Sequence, residues 1–238
     1  MTQLYSEFNI DNVGFGAPQA NKGGGKFVSI YDEEPKNRVA FQLGKLGDTV
    51  DKTTAMRVAF PPEPNKFDTT KYELTIEVEG EPLALLRSLE GKVVDAAVEN
   101  KKAWFKKDIP DEKVRDQFSS RLKTSMSAQF PADTMKVRVH PDETEVFLVD
   151  VGSDGTIKHR GQVSLRKSKL EAISRGSLVI PVIRTRGGVY FQVSSFGITF
   201  EATSVLVLGA SSRGTKRGVS AINLGASAKV VESDDEEA

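Results

Sequence analysis

No cysteine occurs in the 238 residues, which excludes disulfides, zinc-thiolate sites and thiol chemistry together. No apolar run approaches the roughly 20 residues that a membrane-spanning helix needs. The amino terminus, MTQLYSEFNIDN, has no basic stretch followed by an apolar one, so a secretory signal is not expected. These absences point to a reducing, intracellular setting. Histidine is scarce as well. His140 precedes Pro141 and His159 lies in the basic run IKHRG, and neither has the neighbours that catalysis or metal binding requires. There is no GxSxG elbow and no phosphate loop. The string Gly23 to Lys26 resembles one superficially, but it lacks the following Ser or Thr and leads into a strand pattern. Asp32, Glu33 and Glu34 sit in a turn-like run where solvation explains them. The chain is therefore expected to be a binding protein, not an enzyme, with neither metal nor cofactor.

Charge is present in quantity, and its balance is uneven along the chain. There are 33 Lys and Arg against 33 Asp and Glu. Five of those acids (Glu232, Asp234, Asp235, Glu236 and Glu237) fall in the last seven residues, leaving a body of 33 bases against 28 acids. From Gly152 to Arg217 there are eleven bases and three acids. A basic body with an acidic tail suits a polyanion-binding surface, although a solvated face has the same composition.

Periodicity points to a mainly β protein with inserted helices. Residues 1–26, which include GFGAPQANKGGGK, are expected to form a flexible arm that Phe8, Phe15 and Phe27 either pin to the body or offer to a ligand. Alternation predicts strands at 27–31, 38–43, 56–60 (stopped by PPEPNK), 72–79, 135–140 and 145–151, with a hairpin across 152–155. Helical spacing predicts one helix over 82–98, with Pro82 in its first turn, and a second over 111–122 capped by Asp111. A short helical turn is expected over 170–174. Three apolar runs, 178–184, 189–193 and 198–208, predict a three-strand meander with a turn at Arg186-Gly187-Gly188. The expected organisation is thus an arm (1–26), one β-rich domain (27–208, helical insertion about 82–122) and a basic, then acidic, tail (209–238).

Basic residues interleaved with aromatics carry the functional expectation. Lys101, Lys102, Lys106 and Lys107 flank Trp104 and Phe105. Lysines attract phosphates, and exposed rings stack on unpaired bases. The rings equally suit a core anchor with the lysines snorkelling around them. Lys158, Arg160, Arg166, Lys167 and Lys169 form a second basic run beside His159. Arg184 and Arg186 flank a turn ahead of Tyr190 and Phe191, which a strand would point to opposite faces, so at most one of them stacks from a given side. Arg213, Lys216 and Arg217 suit a loose electrostatic arm. The carboxylates of the tail mimic phosphates and suit a groove of opposite charge.

Three stretches carry a resemblance. The first is Asn100, Trp104, Phe105 and Lys107, in the order Asn-x-x-x-Trp-Phe-x-Lys, followed by a charged helix. The second is LVIPVIRTRGGVYFQ, an apolar strand pair joined through glycine. The third is Phe196-Gly197-Ile198-Thr199-Phe200 leading into ATSVLVL. With the acidic terminus they cover about residues 72–238, and the chain resembles the single-stranded-DNA-binding proteins of large eukaryotic DNA viruses, which are similar to phage replication proteins built on an OB-fold. The resemblance implies an OB-fold-like barrel with a two-helix insertion and a disordered acidic tail. It implies a non-catalytic role in viral DNA replication, recombination or repair, at a replication site in host nucleus or cytoplasm. Implied partners are single-stranded DNA, or RNA in its place, and replication proteins met through the tail. A homo-oligomer stays open, and so does a β-sandwich virion scaffold as the alternative reading.

Overall fold

Alternation decides which side of each strand is buried. In Tyr72–Val78 the residues Leu74, Ile76 and Val78 are fully enclosed, while Glu73 and Glu77 take the other face. In Asp133–Val139 the residues Met135, Val137 and Val139 are enclosed, and Lys136 and Arg138 face outward. Leu74 lies opposite Val137 and Ile76 opposite Met135, so two apolar rows meet. Each such side chain gains about 1.5–3 kcal/mol on burial, which holds the register against a one-residue slip.

The computed structural model describes residues 3–20, 25–34, 37–46, 49–65, 69–125, 132–152, 155–162 and 168–210, with backbone alone at 158–162, 168–169 and 209–210. In chain order the strands are β1 (Gln3–Leu4), β2 (Val13–Ala20), β3 (Lys26–Asp32), β4 (Ala40–Gln42), β5 (Met56–Pro64), β6 (Tyr72–Val78), β7 (Leu122–Lys123), β8 (Asp133–Val139), β9 (Glu145–Val151), β10 (Ile157–Gln162), β11 (Ser177–Phe191) and β12 (Phe196–Ala210). The helices are α1 (Gly80–Glu99), α2 (Lys101–Phe105), α3 (Asp111–Asp116) and α4 (Ser168–Glu171). The protein is mostly β, and no helix among the described residues is long and apolar enough to cross a membrane.

Five strands pair in a closed circuit. β5 pairs with β6, β6 with β8, β8 with β12 in parallel, β12 with β11, and β11 returns to β5. The remaining strands hang on this circuit. β3 and β4 pair with β11, β2 with β3, β1 with β4, β7 with β8, and the β9–β10 hairpin joins β12 through β9.

Several expectations are corrected. Over residues 3–20 the amino-terminal segment packs on the body: β2 pairs with β3, Tyr5, Phe8 and Val13 are buried, and Phe8 packs on Phe41 at 5.2 Å. Lys92 of α1 donates to the carbonyls of Ile10 and Asp11 at 2.7 and 3.0 Å, holding the turn between β1 and β2. The strand at Met56 runs through Pro61 and Pro62. A register shift between Phe60 and Glu63 spares the ladder the two missing N–H donors. The second helix ends at Asp116, because Phe118 is drawn into a bridge with Phe196 and Ser119 N donates to the Phe196 carbonyl at 2.7 Å. Asp111 does not cap that helix; its carboxylate accepts from Lys101 instead.

The expected three-strand meander is two long strands. Gly187 and Gly188 do not turn the chain back; with φ of 67° and 80° they form a bulge inside β11. A Cβ at Gly188 would lie 1.9 Å from the Val28 carbonyl oxygen, so glycine is what allows β3 to approach. Gly188→Ala is expected to cost about 2–4 kcal/mol through positive-φ strain and this clash. A lower urea midpoint with unchanged slope is the readout, and an unchanged midpoint would refute the role given to the bulge.

Candidate nucleic-acid interface

The Trp-Phe element is the first place to look, and it faces inward. Trp104 is 2% exposed and meets Phe15 and Phe191 edge-on at 5.7 and 5.9 Å. Half-buried Phe105 packs on Phe191 and Phe196 at 5.6 and 5.4 Å. These rings dock α2 onto the ends of β2, β11 and β12, where edge-to-face geometry is favoured. Stacking of a base on Trp104 is thereby corrected: the ring is already enclosed. The lysines differ from one another. Lys101 reaches Asp111 at 2.7 Å and Asp108 at 3.7 Å, and Lys102 reaches Asp108 at 3.6 Å. Lys106 and Lys107 are exposed, and Lys106 takes the left-handed C-cap position of α2.

A different surface gathers charge. Cross-strand register lines up Glu73 of β6, Arg138 of β8, Glu201 of β12 and Arg184 of β11 in one row on the outer side of the circuit. Lys136 is two residues along β8 from Arg138, and Arg186 is two along β11 from Arg184. Tyr190 lies opposite Gly197 on β12 and opposite Phe27 on β3, on this same side. Gly197 has no side chain, and Tyr190 lies over it: a Cβ there would fall 3.0 Å from the phenol oxygen. Arg121, arriving from the segment after α3, stands 5.9 Å from the Tyr190 ring and 3.5 Å from a Glu73 oxygen.

Glu201 organises one end of the row. It is 1% exposed and receives Arg184 at 3.3 Å, Arg186 and, at 2.8 Å, the His140 ring. Burial keeps His140 below its ordinary value, against the pull of Glu201. Glu73 serves the other end, bridging Lys136 at 3.2 Å and Arg121. Burial pushes its carboxyl up, but Lys136 and Arg121 outweigh that and hold it low. Between the two carboxylates lies Arg138, half-buried, with its Nε enclosed and unpartnered. Burial lowers its proton affinity, and the like charges of Arg121 and Arg186 lower it further. Five cations thus stand around buried Glu201 and half-buried Glu73, with exposed Glu63 opposite Glu73 in the ladder and Glu143 at the rim 3.8 Å from Arg186. The surplus is positive, and an anion laid across the row would offset it.

Of the residues singled out from sequence, the structure brings together Arg184, Arg186 and Tyr190. It sets Lys101, Lys102, Trp104 and Phe105 apart from them. Arg166, Lys167 and the tail (Glu232, Asp234, Asp235, Glu236, Glu237, with Arg213, Lys216 and Arg217) lie outside the described residues, as do the side chains of Lys158, Arg160 and Lys169. Phe27, one of the rings the arm was expected to pin or offer, joins Arg184, Arg186 and Tyr190, whereas Lys136, Arg138 and Arg121 were missed. The alternation in MKVRVH carried the first two: apolar residues in, bases out. Arg121 had no sequence signal, because its place depends on Glu90. This buried carboxylate of α1 accepts from the Arg121 N–H at 2.8 Å and from the Ser120 hydroxyl at 2.6 Å. Among the described residues no cluster of three His, Asp or Glu is arranged to hold a metal.

Two consequences are measurable. Glu201→Gln leaves Arg184 and Arg186 without their shared counter-charge. A loss of roughly 3 kcal/mol is expected, the low end for a broken buried pair because both guanidiniums keep some water; equal urea midpoints would refute it. For His140 the folded value lies below the ordinary 6.5, so on acidification the unfolded chain takes up the proton first. Its contribution to stability is therefore complete above about pH 6.5 and is lost as the pH falls through the folded value. His140→Gln should flatten the stability–pH curve between pH 7 and 5; parallel curves would count against it.

No known protein family's sequence profile matches the chain, and a search of curated proteins found no match. Solved structures give weak matches. The chain is similar to the single-stranded DNA-binding protein from bacteriophage Enc34 at 14% identity and a TM-score of 0.44, over 87% of this chain and 96% of that one. Enc34 protein in complex with ssDNA matches at 15% identity and 0.39, over 80% and 93%. Gp2.5, a single-stranded DNA-binding protein encoded by bacteriophage T7, matches at 13% identity and 0.39, over 75% and 90%.

Proposed function

We propose that the protein binds single-stranded nucleic acid, DNA in the first instance, without catalysis. The observation that carries this is the row from Glu73 to Arg184, where five cations outnumber the four carboxylates of Glu63, Glu73, Glu143 and Glu201, and Tyr190 and Phe27 lie alongside on one sheet face. Phosphates would meet Arg138, Arg121, Lys136, Arg184 and Arg186, while a base stacks on Tyr190. Every base offers a stacking face, so little sequence preference follows. The circuit β5–β6–β8–β12–β11, with its parallel β8–β12 step, supports an OB-type barrel as the scaffold. We propose further that the role lies in replication, recombination or repair of viral DNA, as the sequence resemblance implies. The tail carboxylates, opposite in sign to this face, would contact partner proteins.

Fluorescence anisotropy with labelled oligo-dT tests the reading. Affinity should fall with salt, the log–log slope being about −0.7 for each phosphate contacted. Tyr190→Ala should weaken binding by roughly 5- to 150-fold, the worth of about 1–3 kcal/mol per stacked base. Enclosed Trp104 should keep its emission when the oligomer binds. Absence of binding at about 50 mM salt, both in the full chain and in one shortened before Glu232, would overturn the proposal. So would full affinity in Tyr190→Ala combined with Arg138→Gln.

A further inference from the structure

A second cationic point lies on the opposite side of the β3–β11 ladder. Phe27 shares the face of Tyr190, so strand alternation sends Lys26 to the other. There its ammonium stands 4.3 Å from the centre of the Phe191 ring and 5.9 Å from that of Phe105. These are rings of the aromatic cluster that encloses Trp104. Burial lowers the proton affinity of Lys26, and the like charge of Lys106 lowers it further. Among the described residues neither amine has a carboxylate within ion-pair reach, whereas nearby Lys101 and Lys102 share Asp108. Lys106 also holds φ of 55°, in the region that a side chain with a Cβ enters at a cost of about 1 kcal/mol. The negative faces of the two rings compensate Lys26 in part, but the mutual repulsion of the two amines remains.

The position of the pair is as informative as its charge. β11 ends at Phe191 and β3 begins at Lys26, so both strands reach the same rim of the sheet. Tyr190 and Phe27 stand on one side of that rim, and Phe191 and Lys26 on the other. A polynucleotide leaving the Tyr190 face past this rim meets Lys26 one residue from Phe27.

We infer that Lys26 and Lys106 form a separate phosphodiester-binding site, which engages the backbone of a single strand after it passes round the rim from the Tyr190 face. The inference rests on the reading of that face as the primary site. The two lysines fix the direction in which the bound strand leaves, and they add affinity only for oligomers long enough to reach them.

The test uses the full chain and its Lys26→Gln/Lys106→Gln variant, titrated with oligo-dT from about 4 to 20 nucleotides, a range bracketing the site sizes of small binding domains. The variant should match the wild type on the shortest oligomers and weaken by about tenfold on the longest. Its salt slope there should be less steep by about 1.4, because two phosphates are no longer neutralised. Lys26→Arg/Lys106→Arg should restore the slope. Near-ultraviolet circular dichroism from the Trp104 cluster checks that each variant is folded. Wild-type affinity and slope in the Gln variant at every length would overturn the second site while leaving the primary face intact. Equal loss at every length would overturn it as a separate site. Failure of the wild type to bind any oligomer would instead remove the primary reading, and this one with it.

Discussion

A carboxylate shut away from water imposes its requirements on everything around it. Glu201 sits at 1% exposure in the middle of β12, where an ionised group without partners would be prohibitively costly. Its position in the ladder supplies those partners. Arg184 is directly across on β11, Arg186 follows two residues later, and His140 closes from the end of β8. Because all of these reach one carboxylate, they are held on a single face. Arg138, the next residue in the row, then has no carboxylate of its own. The same arrangement that makes β12 tolerable in the interior leaves the surface short of negative charge.

The aromatic cluster does separate work. Phe15, Trp104, Phe105, Phe118, Phe191 and Phe196 tie the amino-terminal hairpin, the helices and the two long strands to one end of the circuit. Trp104 therefore holds in place the scaffold on which Tyr190 stands, and has no ring face to offer a ligand. One side chain on each side of the β11 rim divides the work: Tyr190 toward the charged row, Phe191 toward the core.

What the sequence revealed follows the range of the interactions concerned. The alternation in YELTIEVE and the helical spacing from Pro82 are local, and both elements formed where the pattern placed them. The charged run around Trp104 misled because composition does not distinguish a ring over a groove from a ring under a helix; contacts with Phe15 and Phe191, some ninety residues away on either side, decide that. Arg186-Gly187-Gly188 has the composition of a hairpin turn. Only the neighbouring β3, arriving from far upstream, shows that it is a bulge. Arg121 owes its position to a carboxylate on α1, thirty-one residues earlier in the chain.

The bulge also governs parity. Between Thr185 and Val189, β11 advances four residues while β12, from Phe200 to Ile198, advances two. The excess is even, so the in-and-out order of side chains is the same before and after the kink, and Tyr190 emerges on the flank that carries Arg184 and Arg186. Alternation therefore runs through the kink unbroken: Tyr190 stays beside the guanidiniums, and Phe191 stays with the phenylalanines that enclose Trp104.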